Sequence, residues 1–255
     1  MAVKKDSPLR RTKRHPLRRK APEGVFTGPI RLDPFQEEAF KLLAGGHNVL
    51  VAAPTGTGKT LIAEMLIEKV LADGRGSVYT SPIKALSNQK YRDFADRFGK
   101  ERVGLITGDV SVNERAPLLV MTTEIFRNWC FANPEMLDDM THVIFDELHY
   151  LDDRERGTAW EESIIFAPPH IRIVGLSATV PNVHELASWI ADVRGQPVKV
   201  IEERCRAVPL ELSWISPEGH VLEEDEAREH IRQRIERRRG RWTDFPKNDA
   251  ELAYE

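Results

Sequence analysis

Six short runs of apolar, largely β-branched residues recur between residues 48 and 200: Asn48–Ala53, Ser77–Thr80, Val103–Thr107, Leu118–Thr122, Val143–Phe145 and Ile171–Leu176. They are nearly continuous rather than alternating, which is how a strand reads when both of its faces are buried. Between them lie stretches with helical signals: Thr60–Ala72, Lys84–Phe98, Thr123–Phe131 and His184–Val193. Strand and helix in alternation, with short connections, predict an α/β domain in which a mostly parallel sheet carries helices on both faces. In such sheets ligands lie beyond the carboxyl ends of the strands. The residues that follow each run are therefore the ones to read for chemistry.

The first run leads into APTGTGKT, residues 53–60. Strand, glycine-rich loop and helix in that order make a phosphate cradle. Gly56 and Gly58 let the backbone wrap closely, so that N–H groups point inward at phosphate oxygens. Lys59 is placed to reach the β- and γ-phosphates of a nucleotide and Thr60 to ligate Mg²⁺, with the helix N-terminus adding partial positive charge. Thr55 and Thr57 complete the nucleotide-contacting loop. The strict pattern begins with Gly, and here that position is Ala53.

The fifth run ends in two carboxylates, VIFDE, followed by Leu148 and His149. An apolar strand that delivers Asp-Glu to its C-terminal end is the metal-and-water arrangement that accompanies such a loop. Asp146 would hold Mg²⁺ through its water shell, and Glu147 would orient and deprotonate the attacking water. His149, two residues after the glutamate, completes a DExH box. Glu147, Lys59, Asp146 and His149 form the expected catalytic set, with Thr60 and Asp146 as metal ligands.

Composition adds limits. The 255 residues, 41% of them hydrophobic, suffice for one good core or two small ones. No apolar run approaches a membrane span and no signal-peptide core opens the chain, so no membrane partner is expected. Cys130 and Cys205 show no metal-ligand spacing, and reduced thiols are expected. The total charge of −3 is unevenly distributed: residues 1–22 hold nine Lys or Arg against Asp6 alone, a balance of +8 that leaves −11 for the rest. Such an arm marks a polyanion partner, or is a disordered, solubilising extension; a nuclear-import signal has the same composition.

With the phosphate loop and the DELH box in place, the chain resembles superfamily 2 helicases, and within them the superkiller-type DExH-box RNA helicases. The matching segments are LDPFQ (32–36), TSPIKALSNQKY (80–91), TGD (107–109), MTTEIFRN (121–128), DELHY (146–150), GTAWEES (157–163) and LSATVPN (176–182), in family order from about Ile30 to Pro209. The resemblance implies a RecA-like P-loop domain with ATP and Mg²⁺ as cofactors. It implies that Gln36 reads the adenine edge. Pro82, Lys84, Ala85, Gly108, Thr122 and Thr123 would line the nucleic-acid surface, and Ser177 and Thr179 would couple it to the phosphate site. The family's box often reads DEVH or DEIH; Leu148 is a mild departure.

The organisation expected is a basic, disordered arm over 1–22, a RecA-like ATP-binding domain over 23–209, and an extension or linker over 210–255. Val198–Glu202 and Leu210–Ile215 are candidate further strands, and Glu223–Arg241 a charged helix ending in the Arg237–Arg241 run. That run reads as a solvated helix end or as nucleic-acid-binding sequence. No second phosphate-binding sheet and no arginine-finger motif follow Pro209, so a second RecA-like domain is an expected partner, beside single-stranded RNA and an RNA-degrading complex. The function expected is the N-terminal motor domain of an ATP-dependent RNA helicase in the cytoplasm, or in the nucleus of a eukaryote. A DNA helicase of the same superfamily and an ATP-responsive RNA-binding module without useful turnover are the alternatives.

Overall fold

A computed structural model describes residues 31–152, 157–206, 213–216 and 219–239. Two units are distinguished, Met1–Asp33 and Pro34–Glu255. Of the first, only residues 31–33 are described, without regular structure. The basic arm over 1–22 lies outside the described residues, as do residues 207–212 and the side chains of Arg237–Arg241.

The second unit is built on one eight-stranded sheet. In chain order its strands are β1 (Asn48–Ala52), β2 (Gly76–Ser81), β3 (Val103–Ile106), β4 (Ser111–Val112), β5 (Leu118–Thr122), β6 (Met140–Phe145), β7 (Arg172–Ser177) and β8 (Val198–Glu202). Their spatial order is β4-β3-β5-β2-β6-β7-β1-β8. All pairings are parallel except β3 with β4. Each of the six apolar runs lies on a strand, and β1, β2, β3 and β5 are buried along their whole length, as continuous apolar runs require. Val198–Glu202 supplies the outermost strand β8.

Helices cover both faces. On one, α1 (Pro34–Ala44), α2 (Lys59–Ala72) and α3 (Lys84–Phe98) bury Phe35, Leu66 and Phe94 against Val51, Tyr79, Val120 and Ile144. On the other, α4 (Thr123–Ala132), α5 (Gly157–Phe166) and α6 (Val183–Arg194) bury Phe126, Trp160 and Ile190 against Leu50, Val78, Phe145 and Ile173. The chain takes α1 from Pro34, whose fixed φ and missing N–H suit a first helical position. It leaves α6 through Gly195 in the left-handed region.

Some elements exceed the sequence expectations. Helices α1 and α5 were not foreseen, and neither was the two-residue antiparallel strand β4. A hairpin of β9 (Trp214–Ile215) and β10 (Val221–Leu222) precedes α7 (Glu224–Arg239). Within the expected strand Leu210–Ile215, residues 213–215 fall among those described, and only the last two form a strand, β9. No helix among the described residues is long and apolar enough to cross a membrane, and both cysteines are free thiols.

Candidate functional site

The parallel strands deliver their C-terminal ends to one rim of the sheet, and the expected site residues follow there. After β1 the loop turns through Gly56 (φ +88°) and Gly58 (φ +82°), conformations that cost an L side chain about 1–2 kcal/mol. Gly58 caps α2 with no side-chain hydrogen bond, and the first turn holds no acid. The leading N–H groups and the positive end of the helix are thus left for an anion. Ala53 replaces the usual glycine without strain, because it continues the strand: its N–H donates to the Ser177 carbonyl at 3.1 Å, and its φ is not positive.

Side chains stiffen this loop. The Thr57 hydroxyl donates to the Pro54 carbonyl at 2.8 Å. Buried Gln36, from α1, donates through Nε2 to the carbonyls of Thr57 (3.1 Å) and Gly58 (3.3 Å). Lys59 folds over the loop, its Nζ donating to the carbonyls of Ala53 (2.8 Å) and Pro54 (3.2 Å). Burial lowers the Lys59 pKa; the nearby Glu147 and Asp146 carboxylates oppose the shift and Arg206 adds to it. Thr55 is exposed at the loop's outer turn.

The carboxylates leave the end of β6, two strands away from β1 with β7 between them. The Asp146 N–H donates to the Thr80 carbonyl at 3.1 Å, extending the ladder with β2. Its Oδ1 accepts the Glu147 N–H at 3.0 Å, and its Oδ2 accepts the Tyr79 hydroxyl. Glu147 itself sits at φ +54°, one of two positive-φ non-glycine residues among those described. Left-handed backbone at a bulky residue is a strained arrangement of the kind that collects at functional sites. It turns the chain sharply after the strand and begins the 3-10 helix Leu148–Asp152. Leu148 is buried against Gly175, where any Cβ would meet its Cδ2 at 2.6 Å, so this departure from the common box serves packing.

His149 stands between the two motifs it was expected to link. Its Nδ1 lies 3.4 Å from Glu147 Oε2 and 3.5 Å from the Ala178 N–H, between Ser177 and Thr179. As a neutral ring with the proton on Nε2 it accepts from Ala178; with a proton on Nδ1 it donates to Glu147. The hydroxyl of Ser177 is buried without a partner among the described residues, while its carbonyl holds Ala53. Thr179 lines a separate cleft with Ala52, Val180, Pro181, Glu202 and Arg204.

Farther along the rim, a groove of about 530 Å³ is lined by Pro82, Ile83, Lys84, Ala85, Gly108, Thr122, Glu124 and Ile125. Five of the six residues expected to face nucleic acid meet here. Thr123 lies just behind, its hydroxyl buried and unpartnered among the described residues. Helices α3 and α4 both begin at this groove, capped by Ile83 and Thr122 without side-chain hydrogen bonds. Lys84 forms an ion pair with Asp109.

Three site neighbours were not foreseen. Tyr79 reaches Asp146 as described, Lys90 Nζ lies 3.5 Å from the Thr60 hydroxyl, and Arg206 Nη1 donates to the Thr55 carbonyl at 3.4 Å. None sits next to its partner in sequence, so only the strand order and helix packing reveal them. The oxygen donors Thr60 and Asp146 suit Mg²⁺, which takes a few protein oxygens together with water and phosphate. Among the described residues no group of three His, Cys, Asp or Glu gathers as an all-protein metal cage.

Residues 33–186 match the family described as DEAD/DEAH box helicase. The chain is 49% identical over 182 residues to the probable helicase HelY of Mycobacterium tuberculosis, covering 71% of this chain and 20% of that protein. It is 46% identical over 198 residues to the antiviral helicase SKI2 of Saccharomyces cerevisiae, covering 77% and 15%. It is 48% identical over 191 residues to the DExH-box ATP-dependent RNA helicase DExH9 of Arabidopsis thaliana, covering 75% and 19%. The chain thus spans a fifth or less of the length of these relatives. Among solved structures the fold matches the Pyrococcus furiosus Hef helicase domain, with a TM-score of 0.51 at 24% identity over 69% of this chain and 41% of that one. It also matches the DUF1998 helicase MrfA bound to DNA, with a TM-score of 0.57 at 18% identity over 68% and 27%.

Proposed function

The chain belongs to the DEAD/DEAH box helicase family, and from that premise we propose that it is the N-terminal, ATP-binding motor domain of an ATP-dependent RNA helicase of superkiller type. The observation that carries this reading is the shared rim: the phosphate loop, the Asp-Glu pair, the Ser177–Thr179 segment and the groove all follow parallel strands of one sheet. Two backbone or ring contacts join the first three of these, from Ala53 to Ser177 and from His149 to Ala178.

ATP would lie on the loop, with the N–H groups of Thr55–Thr60 and the Lys59 ammonium around its phosphates and Gln36 at the adenine edge. Thr60 and Asp146 would hold Mg²⁺, which supplies Lewis-acid charge at the phosphate oxygens when bound. Glu147 takes the proton of the attacking water, and His149 reports the state of that carboxylate to the Ser177–Thr179 segment. Single-stranded RNA would bind the groove largely through the leading N–H groups of α3, whose first turn holds no acid, and nearby hydroxyls, contacts that need little formal charge and suit an acidic body. Glu124 makes the start of α4 the poorer phosphate site. A second RecA-like domain would supply the arginine that stabilises phosphoryl transfer, an effect worth roughly 10³–10⁵ in rate. The setting we propose is the cytoplasm, or the nucleus of a eukaryote, with an RNA-degrading complex as partner.

The test is steady-state ATP hydrolysis and Mg²⁺-dependent ATP binding by the 255-residue chain, with RNA or DNA of one sequence added. Mg²⁺-dependent binding of ATP, with crosslinks from RNA to the surface around Lys84 and Thr122, is the expected result. Absence of nucleotide binding, or crosslinks confined to other surfaces, refutes the reading.

A further inference from the structure

Asp146 is the proposed metal carboxylate, and its orientation depends on a residue that no motif contains in that role. Tyr79 lies in the middle of β2, fully buried, in register with Ile144 of the neighbouring β6. Side chains alternate along a strand, so Asp146, two residues after Ile144, emerges on the same face of the sheet as Ile144 and Tyr79. That face is the one covered by α2 and α3. The Tyr79 ring is fixed there by an edge-on contact with Phe94 of α3, with centroids 5.0 Å apart, and its hydroxyl donates to Asp146 Oδ2. The other oxygen, Oδ1, is taken by the Glu147 N–H. The carboxylate is therefore clamped at both ends, by the strained backbone of Glu147 on one side and by a core phenol on the other.

We propose that Tyr79 is a positioning residue for the metal site: its hydroxyl fixes the plane of the Asp146 carboxylate and so sets the affinity of the nucleotide-bound protein for Mg²⁺. The inference rests on the nucleotide reading given above. Without the hydroxyl, Oδ1 remains held by Glu147 while Oδ2 loses its partner, and the carboxylate turns about the single remaining anchor. Groups that orient a metal-binding side chain in this way are typically worth roughly 10–100-fold in metal affinity. The ring's part is to hold the hydroxyl in place through its contact with Phe94, which a phenylalanine ring keeps.

Tyr79→Phe removes one atom and keeps the contact with Phe94. Binding of a fluorescent ATP analogue to the full 255-residue chain is titrated first without metal, then with increasing Mg²⁺. Thermal unfolding without metal or nucleotide is followed in parallel. The expected result is metal-free nucleotide affinity close to that of the parent and cooperative unfolding at a temperature lower by several degrees, for the one charge-assisted hydrogen bond lost, with a half-saturating Mg²⁺ concentration raised roughly tenfold or more. In an Asp146→Asn background the same substitution is expected to change the Mg²⁺ requirement little, because Tyr79 acts through that carboxylate. If Tyr79→Phe matches the parent in its Mg²⁺ requirement while both bind nucleotide, the positioning role is wrong and the nucleotide reading stands. If the parent shows no Mg²⁺-dependent binding, both fall. Should Tyr79→Phe not fold, Tyr79→Met serves as the second hydroxyl-free variant; if neither folds, Tyr79 is a core residue alone and the proposal is overturned.

Discussion

Replacing Glu147 by alanine and by glycine separates its two burdens, chemistry and backbone strain. Both variants lack the carboxylate, and both keep the N–H that Asp146 Oδ1 accepts at 3.0 Å. At an ordinary position glycine is the less stable of the two by roughly 0.5–1 kcal/mol, because the unfolded chain gains freedom. At φ +54° an alanine bears the left-handed penalty of about 1–2 kcal/mol, and glycine does not. The difference reverses the usual order: Glu147→Gly should be more stable than Glu147→Ala by about 0.5–1 kcal/mol. With a urea m-value of about 2–3 kcal/mol/M for a domain of this size, that is a midpoint roughly 0.2–0.5 M higher for glycine. With the second RecA-like domain supplied, hydrolysis should fall by about 10²–10⁴ in both, the usual worth of a general base. A midpoint for alanine equal to or above that for glycine would refute the strain argument. Parent-like hydrolysis by either variant would remove Glu147 from the role of base.

Three further outcomes are expected. His142 is held to a pKa of about 4 by burial, with Arg172 and Lys69 adding, against 6.5 in the unfolded chain. The unfolded chain therefore binds the extra proton between those values, and stability is lost as pH falls from about 6.5 to about 4, by roughly 2–3 kcal/mol; urea midpoints across that range should lose this slope in His142→Asn. Gly58→Ala places a Cβ 2.7 Å from Gln36 Nε2 at a φ of +82°, so equilibrium binding should show weaker ATP affinity and reduced preference over GTP. At the groove, Asp109→Asn frees Lys84 from its ion pair and should tighten RNA binding, whereas Lys84→Ala should weaken it and reduce the slope of log K against log salt by about 0.7; an unchanged slope would show that Lys84 does not meet a phosphate.

The strands of this domain were legible because burial on both faces leaves a continuous apolar signature, and the phosphate loop because its glycines and lysine are adjacent in the chain. Helix α1 carries a pattern that could have been found, with Phe35, Ala39 and Leu43 buried at four-residue steps. Strand β4 could not, since two exposed residues, Ser111 and Val112, show no periodicity. The order of the strands is a property of pairing between distant segments, and sequence patterning carries little of it. That is why Gln36 and Lys59 could be named from motifs while Tyr79, Lys90 and Arg206 could not. Their relevance arises from β2 lying against β6, from α3 lying over the loop, and from the chain after β8 returning to it.

The two lateral edges of the sheet have a consequence for how the chain behaves at high concentration. An unpaired strand offers a row of N–H and C=O groups on which another copy can build. At one end β3 is covered by β4, too short at two residues to template a partner, and the chain turns away at Asn113 with φ +51°. At the other, β8, the edge strand among the described residues, exposes Lys199 and Glu202, so a strand added there would have to desolvate charges of both signs. Crowding should therefore bring copies together through side-chain surfaces before their sheets could merge.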